Sequence, residues 1–355
     1  WPVTAELLTS KNEKIVAEVK KPKPLDISTK EQADSICKII KKGPVVVSKF
    51  EKKEQSTAAP APFTADEMYR ATSGVFGWKT KKTADVAQSL YSAGVITYHR
   101  TDSTYLDPSA VESIRSHISK YGKDYLPANP LVYTTSKNAQ EAHEACRVVD
   151  INMKEYTSGS REEAQLYSMI WKRTIASQMT PMRKLAISAE FSVEDIVLGA
   201  TGSKLLFDGW RKVWDYGNIS DTDLPEITVG EKVNCIDVKT EQKETQPPPR
   251  YSEGSLIKKL KEAGIGRPST YPSISSTLEA RNYIESKKSL SVTDLGMKVN
   301  DFLTSVGFCF AEIDFTSDME DKLDKVANGE ISKLDVLKEF WERLKTDISK
   351  ASETK

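Results

Sequence analysis

The 355-residue sequence has no excess of either charge, because 51 Lys and Arg balance 51 Asp and Glu. A simple polycation that holds nucleic acid through net charge is thereby excluded, and any polyanionic partner must be met by local patches. No stretch approaches the ~20 apolar residues of a membrane span, which excludes a transmembrane role. The N-terminus carries no basic region followed by an apolar run, so no signal peptide is visible. Cysteine is scarce and dispersed, at Cys37, Cys146, Cys235 and Cys309, with no C-x-x-C spacing. That excludes a zinc ribbon, disfavours a disulfide framework and leaves reduced thiols of a cytosolic-type compartment as the better reading. Internal repeats are absent too. Hydrophobic content is low at 38% and charged content is 29%, yet six Trp, thirteen Tyr and ten Phe are too many aromatics for a disordered chain. The length argues for two or three domains. Because the chain opens on a Trp that reads as strand interior, without a Met, the expectation is an excised piece of something longer.

Along the chain the pattern runs β, α, β, α. Trp1, Val3, Ala5 and Leu7 share one face of a strand, and strands follow at 14–19 and 44–47 around a helical stretch near Glu31 to Ile40. The segment 51–62, EKKEQSTAAPAP, reads as a linker. Thr64 with Glu67 predicts a capping box and a helix to about Gly74. A second helix runs from about Lys82 to Gly94. Asp107 with Pro108 opens a third, which Gly122 ends. Ser160 with Glu163 is a further capping box, opening a helix to about Met179. Leu185, Ile187, Ala189, Phe191 and Val193 alternate as a strand, and apolar runs continue to Val238. A Pro-rich joint at 246–250 precedes a last helical block ending near Lys350. The simplest account is a β region interrupted by a helical insertion.

Three clusters could carry chemistry. The first is Gly94-Val-Ile-Thr-Tyr-His-Arg-Thr-Asp-Ser-Thr104, where Tyr98, His99, Arg100 and Asp102 crowd together after a helix end. A tyrosine can act as a covalent nucleophile once activated, and an arginine two residues on has the fork that pairs with a phosphate. In isolation, a tyrosine with charged neighbours in a loop is most often a surface residue. The second cluster, Gln140-Glu-Ala-His-Glu-Ala-Cys-Arg147, puts His143 and Arg147 on one face if helical, suited to phosphate contacts. A solvated helix with charges paired by Glu141 and Glu144 explains that segment equally well. His117 reads as a plain surface residue, and His99 is ambiguous.

The third cluster is Lys258-Lys-Leu-Lys-Glu-Ala-Gly-Ile-Gly-Arg-Pro-Ser-Thr-Tyr271. A basic helix ends at Gly264 and Pro268-Ser-Thr can start another, with Arg267, Ser269 and Thr270 adding anion-binding donors. Residues 250–288 hold eight Lys or Arg against four Glu, whereas 311–355 hold eight basic against twelve acidic residues. Helix–turn–helix geometry here suits nucleic acid, and a structural helical hairpin is the alternative. Gly74-Val-Phe-Gly-Trp-Lys-Thr80 has the ending of a phosphate loop, but Trp78 separates Gly77 from Lys79, so a nucleotide site there is rejected. Asp221-Thr-Asp223 reads as a turn rather than a metal site.

Taken together, the clusters resemble the type IA DNA topoisomerases over nearly the whole chain. The resemblance also rests on Ala61-Pro-Phe-Thr64, Phe207-Asp-Gly-Trp210, Pro248-Pro-Arg-Tyr251, Asp314-Phe-Thr, Met319-Glu and Leu323-Asp-Lys-Val-Ala327. It implies a multidomain α+β fold, part of a toroid. Residues 1–62 and 184–249 would be a β arch, 63–183 a helical domain carrying the nucleophile, and 250–355 a helical DNA-binding domain. It implies an ATP-independent isomerase in which Tyr98 attacks a single-stranded DNA phosphodiester and takes its 5′-phosphate, a strand passes, and the break is resealed, relaxing negative supercoils. Arg100 would position the phosphate and His143 lie near it, with Arg147, Arg267, Ser269, Thr270 and Arg281 contacting DNA.

The family also carries a Toprim domain with an acidic set that binds Mg²⁺, and many members carry C-terminal zinc ribbons. Neither is found in this sequence, so the resemblance implies no metal or zinc site here, a Toprim domain in cis or in trans, and no relaxation by the isolated chain. Single-stranded DNA and negatively supercoiled duplex would be the partners, with no membrane, in a cytoplasmic, nucleoid-associated setting. His99, Val148 and Pro272 depart from the family pattern, where Met, Pro and a small residue are common. The alternative from another class is a non-catalytic clamp for single-stranded DNA that has kept the fold.

Overall fold

Every second residue of the first strand is buried, and that alternation closes a barrel. In the computed structural model, which describes residues 1–134, 143–218, 220–287 and 289–353, β1 (Val3–Leu8) buries Val3, Ala5 and Leu7. It is followed by β2 (Lys14–Lys21), α1 (Lys30–Lys42) and β3 (Val45–Thr57). Much later come β4 (Met182–Val193), β5 (Ile196–Phe207) and β6 (Lys232–Thr240). These six strands form a closed antiparallel barrel in the order β1-β2-β5-β4-β3-β6. Closure gives each strand two neighbours around the barrel, and β3, β4 and β5 run on past it as a three-stranded extension. Phe191, Leu198, Ile15 and Val233 fill the interior, and α1 adds Ala33, Ile36 and Ile40 to the same core. Thr29 and Gln32 start that helix with a reciprocal capping box.

The chain divides into two compact units, residues 1–59 with 180–248 and residues 60–179 with 249–355. Within the first unit, one expectation is corrected. Residues 51–57 are not linker, because β3 continues to Thr57 and pairs with β4 along its whole length, from Val46↔Ser192 to Thr57↔Met182. Side chains 51–57 are all exposed, so this part of the ladder has no apolar face to announce it. Cross-strand charge pairing supports it, as between Arg183 and Glu54 at 3.0 Å.

The far end of the β3–β4 pair is closed by Trp210. Its backbone N–H donates to Thr180 O and its indole N–H to Thr57 O, both at 3.0 Å. Gly209 makes this turn possible: its φ is +51° and a Cβ there would stand 2.4 Å from the Pro181 carbonyl oxygen. The Asp221–Asp223 segment runs beside β5. Asp221 accepts the Leu205 N–H at 2.8 Å, and Thr222 bridges to Ser203.

The second unit is mainly helical. It contains α2 (Ala65–Phe76), α3 (Thr80–Ser92), α4 (Pro108–Ile118) and α5 (Arg161–Ala176). After the Pro-rich joint come α6 (Glu253–Glu262), α7 (Tyr271–Ala280) and the hairpin of β7 (Ile284–Ser286) and β8 (Leu290–Val292). Then follow α8 (Asp294–Val306), α9 (Ile313–Ala327) and α10 (Lys333–Glu353). Phe63, Met68, Tyr69, Leu90, Ile114, Leu166 and Ile170 are fully or almost fully buried. Asp107 caps α4 through the Ser109 N–H, and Ser160 with Glu163 forms the capping box of α5. The box expected at Thr64 does not form. Thr64 Oγ1 donates to Asp66 and Glu67 pairs with Arg70, so both partners are taken, and α2 runs on to a left-handed Gly77. His117 is no plain surface residue either: its ring meets Trp171 edge-on at 5.6 Å. Among the described residues no helix is long and apolar enough to cross a membrane.

Candidate active site

The Tyr98 segment is held by strand-like bonds, not by a helix. α3 stops before Gly94, whose φ of +72° turns the chain out of the helix. From there the backbone is knitted to two other segments. Thr97 N–H donates to Arg147 O at 2.9 Å and Val149 N–H to Val95 O at 3.0 Å. Ala145 N–H reaches Tyr105 O, and Ala65 N–H reaches Thr101 O, each at 2.8 Å. Thr97 adds its hydroxyl, which donates to Ala145 O at 2.7 Å and accepts the Arg147 N–H at 2.9 Å. Tyr98 therefore sits on a clamped turn whose backbone donors and acceptors are largely spent inside the fold.

This arrangement corrects the helix expected across His143 and Arg147. Residues 143–149 are extended, with Cys146 bridged to Phe63 and Val148 to Ile96. Residues 139–142 of that motif lie outside the described residues. The two side chains consequently part company. His143 turns to Tyr98, ring centroids 5.4 Å apart, whereas Arg147 forms a two-bond pair with Glu144 at 2.6 and 3.0 Å. Glu144 in turn accepts the Asp107 N–H at 2.8 Å. Arg147 thus braces the segment that presents His143.

Around the half-buried Tyr98 ring stand Tyr91, edge-on at 5.4 Å, and His99 and His143 at 5.6 and 5.4 Å. Its hydroxyl makes no hydrogen bond among the described residues. His99 is wholly buried. Burial, reinforced by the Arg100 charge, pushes its pKa down to about 4, so it is neutral at neutral pH. Arg100 is exposed. It donates to His99 Nε2 and to Gln88 Oε1, both at 3.4 Å, and no carboxylate among the described residues lies within ion-pair distance. A loosely held guanidinium two residues from a tyrosine hydroxyl is chemically suited to a phosphate.

The Gly-Arg-Pro-Ser-Thr element is a turn between α6 and α7. Arg267 N–H donates to Thr270 Oγ1 at 2.8 Å and Thr270 N–H to Arg267 O at 2.9 Å. Ser269, Thr270 and Arg281 are exposed. The Arg267 guanidinium is engaged by α9, with Asp324 at 2.9 Å and Glu320 at 3.6 Å. Tyr271, buried and with its pKa pushed up to about 12 by that burial, feels both Arg267 and Asp102 of the Tyr98 segment. Lys261 of α6 also reaches the buried Asp66 of α2 at 2.8 Å.

Sequence reading misses Gln88 and Tyr91, which α3 carries one turn apart beneath the motif. It also misses Tyr69 of α2, a buried phenol that feels the charge of Arg100. Packing alone brings these side chains to the site, and no local spacing marks them. Among the described residues no three His, Cys, Asp or Glu side chains converge on a metal position. A Mg²⁺ ion, which prefers several oxygen ligands, therefore finds no fitting donor set there.

The family model described as DNA topoisomerase matches residues 1–338. The chain belongs to the type IA DNA topoisomerase family. Relatives named DNA topoisomerase 1 include that of Vibrio cholerae, 36% identical over 360 residues, covering 99% of this chain and 41% of the relative. That of Escherichia coli is 37% identical over 359 residues, covering 99% and 42%. The solved structure of full-length topoisomerase I from Thermotoga maritima superposes with a TM-score of 0.81 at 30% identity, covering 98% of this chain and 59% of that one. The chain thus spans about two fifths of the length of the Vibrio cholerae and Escherichia coli relatives.

Proposed function

We propose that this chain supplies the nucleophile-bearing part of a type IA DNA topoisomerase. The phenolic oxygen of Tyr98 gives up its proton to solvent, attacks a phosphodiester of single-stranded DNA and bonds to the 5′-phosphate. The 3′-oxygen leaves and takes up a proton. A strand passes through the break, and the freed 3′-hydroxyl then attacks the phosphotyrosine and restores the bond. Since the phosphotyrosine conserves the bond energy, no nucleotide is consumed, and the net effect is relaxation of negatively supercoiled duplex in the cytoplasm, at the nucleoid. The toroid, the arch and the DNA-binding base are part of the same reading.

The observation that carries it is the Tyr98–Arg100 pair: a tyrosine on a clamped turn, against His143, with a guanidinium free of any described carboxylate. Arg100 orients the phosphate and offsets the charge that gathers on it. His99 stays neutral in the wall, and His143 stands against the nucleophile's ring. Arg267, Ser269, Thr270 and Arg281 contact the DNA backbone, and Arg147 does so only at the expense of Glu144. A Toprim domain, in cis or in trans, holds the Mg²⁺ that assists cleavage.

The test combines the chain, a Toprim polypeptide added in trans, Mg²⁺ and a labelled single-stranded oligonucleotide. A covalent adduct that Tyr98→Phe abolishes is expected. Equal, salt-dependent DNA binding by wild type and Tyr98→Phe with no adduct would identify a non-catalytic clamp instead. Relaxation of supercoiled DNA by the chain alone would refute its dependence on a Toprim partner.

A further inference from the structure

Tyr69 carries a buried hydroxyl with no hydrogen-bond partner among the described residues. The residue is wholly covered. Buried phenols ordinarily find one, and an orphan next to a reactive group points to a use. Burial raises the Tyr69 pKa, so the group stays a neutral phenol, and the charges acting on it come from Arg100, Cys146, Tyr98 and Asp66. Asp66 is already occupied by Thr64 and Lys261. Cys146 is a buried thiol whose pKa burial pushes up to about 12, a weak partner at best.

Arg100 is the neighbour with donors to spare. A guanidinium carries five N–H groups. Here Nε and one terminal nitrogen make the bonds to His99 and Gln88, each at 3.4 Å and so at the long limit. The other terminal nitrogen makes no bond among the described residues. An orphan acceptor and an uncommitted donor in one electrostatic neighbourhood are complementary.

We propose that Tyr69 is a positioning residue for Arg100: its hydroxyl accepts a hydrogen bond from the guanidinium and aims the remaining N–H groups at a DNA phosphate. This rests on the reading of Arg100 as the phosphate-binding side chain. α2 is well placed for it, being tied to the same turn through the Ala65 N–H bond to Thr101 O. Satisfying Tyr69 and fixing Arg100 are then one event, coupled to occupation by DNA.

Tyr69→Phe tests this cleanly, because it removes one oxygen that bonds to none of the described residues and keeps the ring. Affinity for a fluorescein-labelled single-stranded oligonucleotide at low salt is measured for wild type, Tyr69→Phe, Arg100→Gln and the double variant. We expect unchanged melting for Tyr69→Phe but about tenfold weaker binding, and less than about a twofold further loss when Arg100 is already Gln. Equal losses in both backgrounds, no loss from Tyr69→Phe, or no measurable binding by wild type would each overturn the assignment. Adduct formation with a Toprim polypeptide is followed in parallel. Its absence in wild type defeats the catalytic reading alone, since the affinity cycle still decides whether Tyr69 acts through Arg100.

Discussion

Glu253 accepts two hydrogen bonds from Thr80, its carboxylate lying 3.2 Å from the backbone N and 2.8 Å from the hydroxyl. Both residues are buried, and each stands at the first turn of its helix, α6 and α3. The residue before Thr80, Lys79, provides no side-chain cap of its own. A carboxylate from a distant helix therefore acts as the missing N-cap and meets the positive end of the α3 dipole. Glu253→Ala leaves two buried donors without a partner and is expected to lower stability by about 1–3 kcal/mol. Glu253→Gln, which keeps an acceptor, loses less. Urea unfolding measures both, and unaltered midpoints would refute the role.

Protonation of His99 gives a second expectation. With its folded pKa near 4 and an unfolded value near 6.5, the unfolded chain takes up a proton that the folded chain refuses between those limits. This group's contribution is therefore complete above about pH 6.5 and is lost as pH falls toward 4, up to about 3 kcal/mol. His99→Met removes the titration. The stability gap between the two proteins, from urea unfolding at pH 7 and pH 4.5, is expected to shift toward the variant at the lower pH. A parallel decline of the two would refute it.

Arg267 is held by Asp324 at 2.9 Å, so in the proposed reading a DNA phosphate competes with a carboxylate for it. Asp324→Asn is expected to tighten single-stranded oligonucleotide binding by about three- to tenfold and to steepen the salt dependence by about 0.7 in log–log slope. Arg267→Ala in the same background should cancel the gain. Anisotropy titrations at several salt concentrations decide it, and unchanged affinity in Asp324→Asn would show that Arg267 takes no part in binding.

Sequence reading succeeds where one local rule governs the outcome. Val3, Ala5 and Leu7 alternate because one strand face lines the barrel, and Ser160 with Glu163 closes a capping box without outside help. It fails where distant partners compete. The spacing of Thr64 and Glu67 is correct, but Asp66 and Arg70 take their side chains. The helical spacing of His143 and Arg147 is overridden by backbone bonds to Thr97, Tyr105 and Phe63. Residues 51–57 lack alternation because both faces of that ribbon meet solvent. In the site, Tyr98 and Arg100 are legible as a motif, while Gln88, Tyr91 and Tyr69 arrive on helices whose packing no local pattern records.

The ladder pair Thr57↔Met182 has a bearing on the order of folding. In an unfolded chain, zipping β3 to β4 must close a loop containing all of residues 60–179, at an entropic cost that rises with loop length. The helical segment lightens that task, because Arg173 Nε donates to Ala61 O at 2.6 Å and its guanidinium covers the Phe63 ring. Once those contacts exist, the two ends of the inserted segment are already neighbours and the long connection behaves as a short one. The connectivity thus favours a sequence in which the lobe carrying Tyr98 organises early and the barrel closes after it.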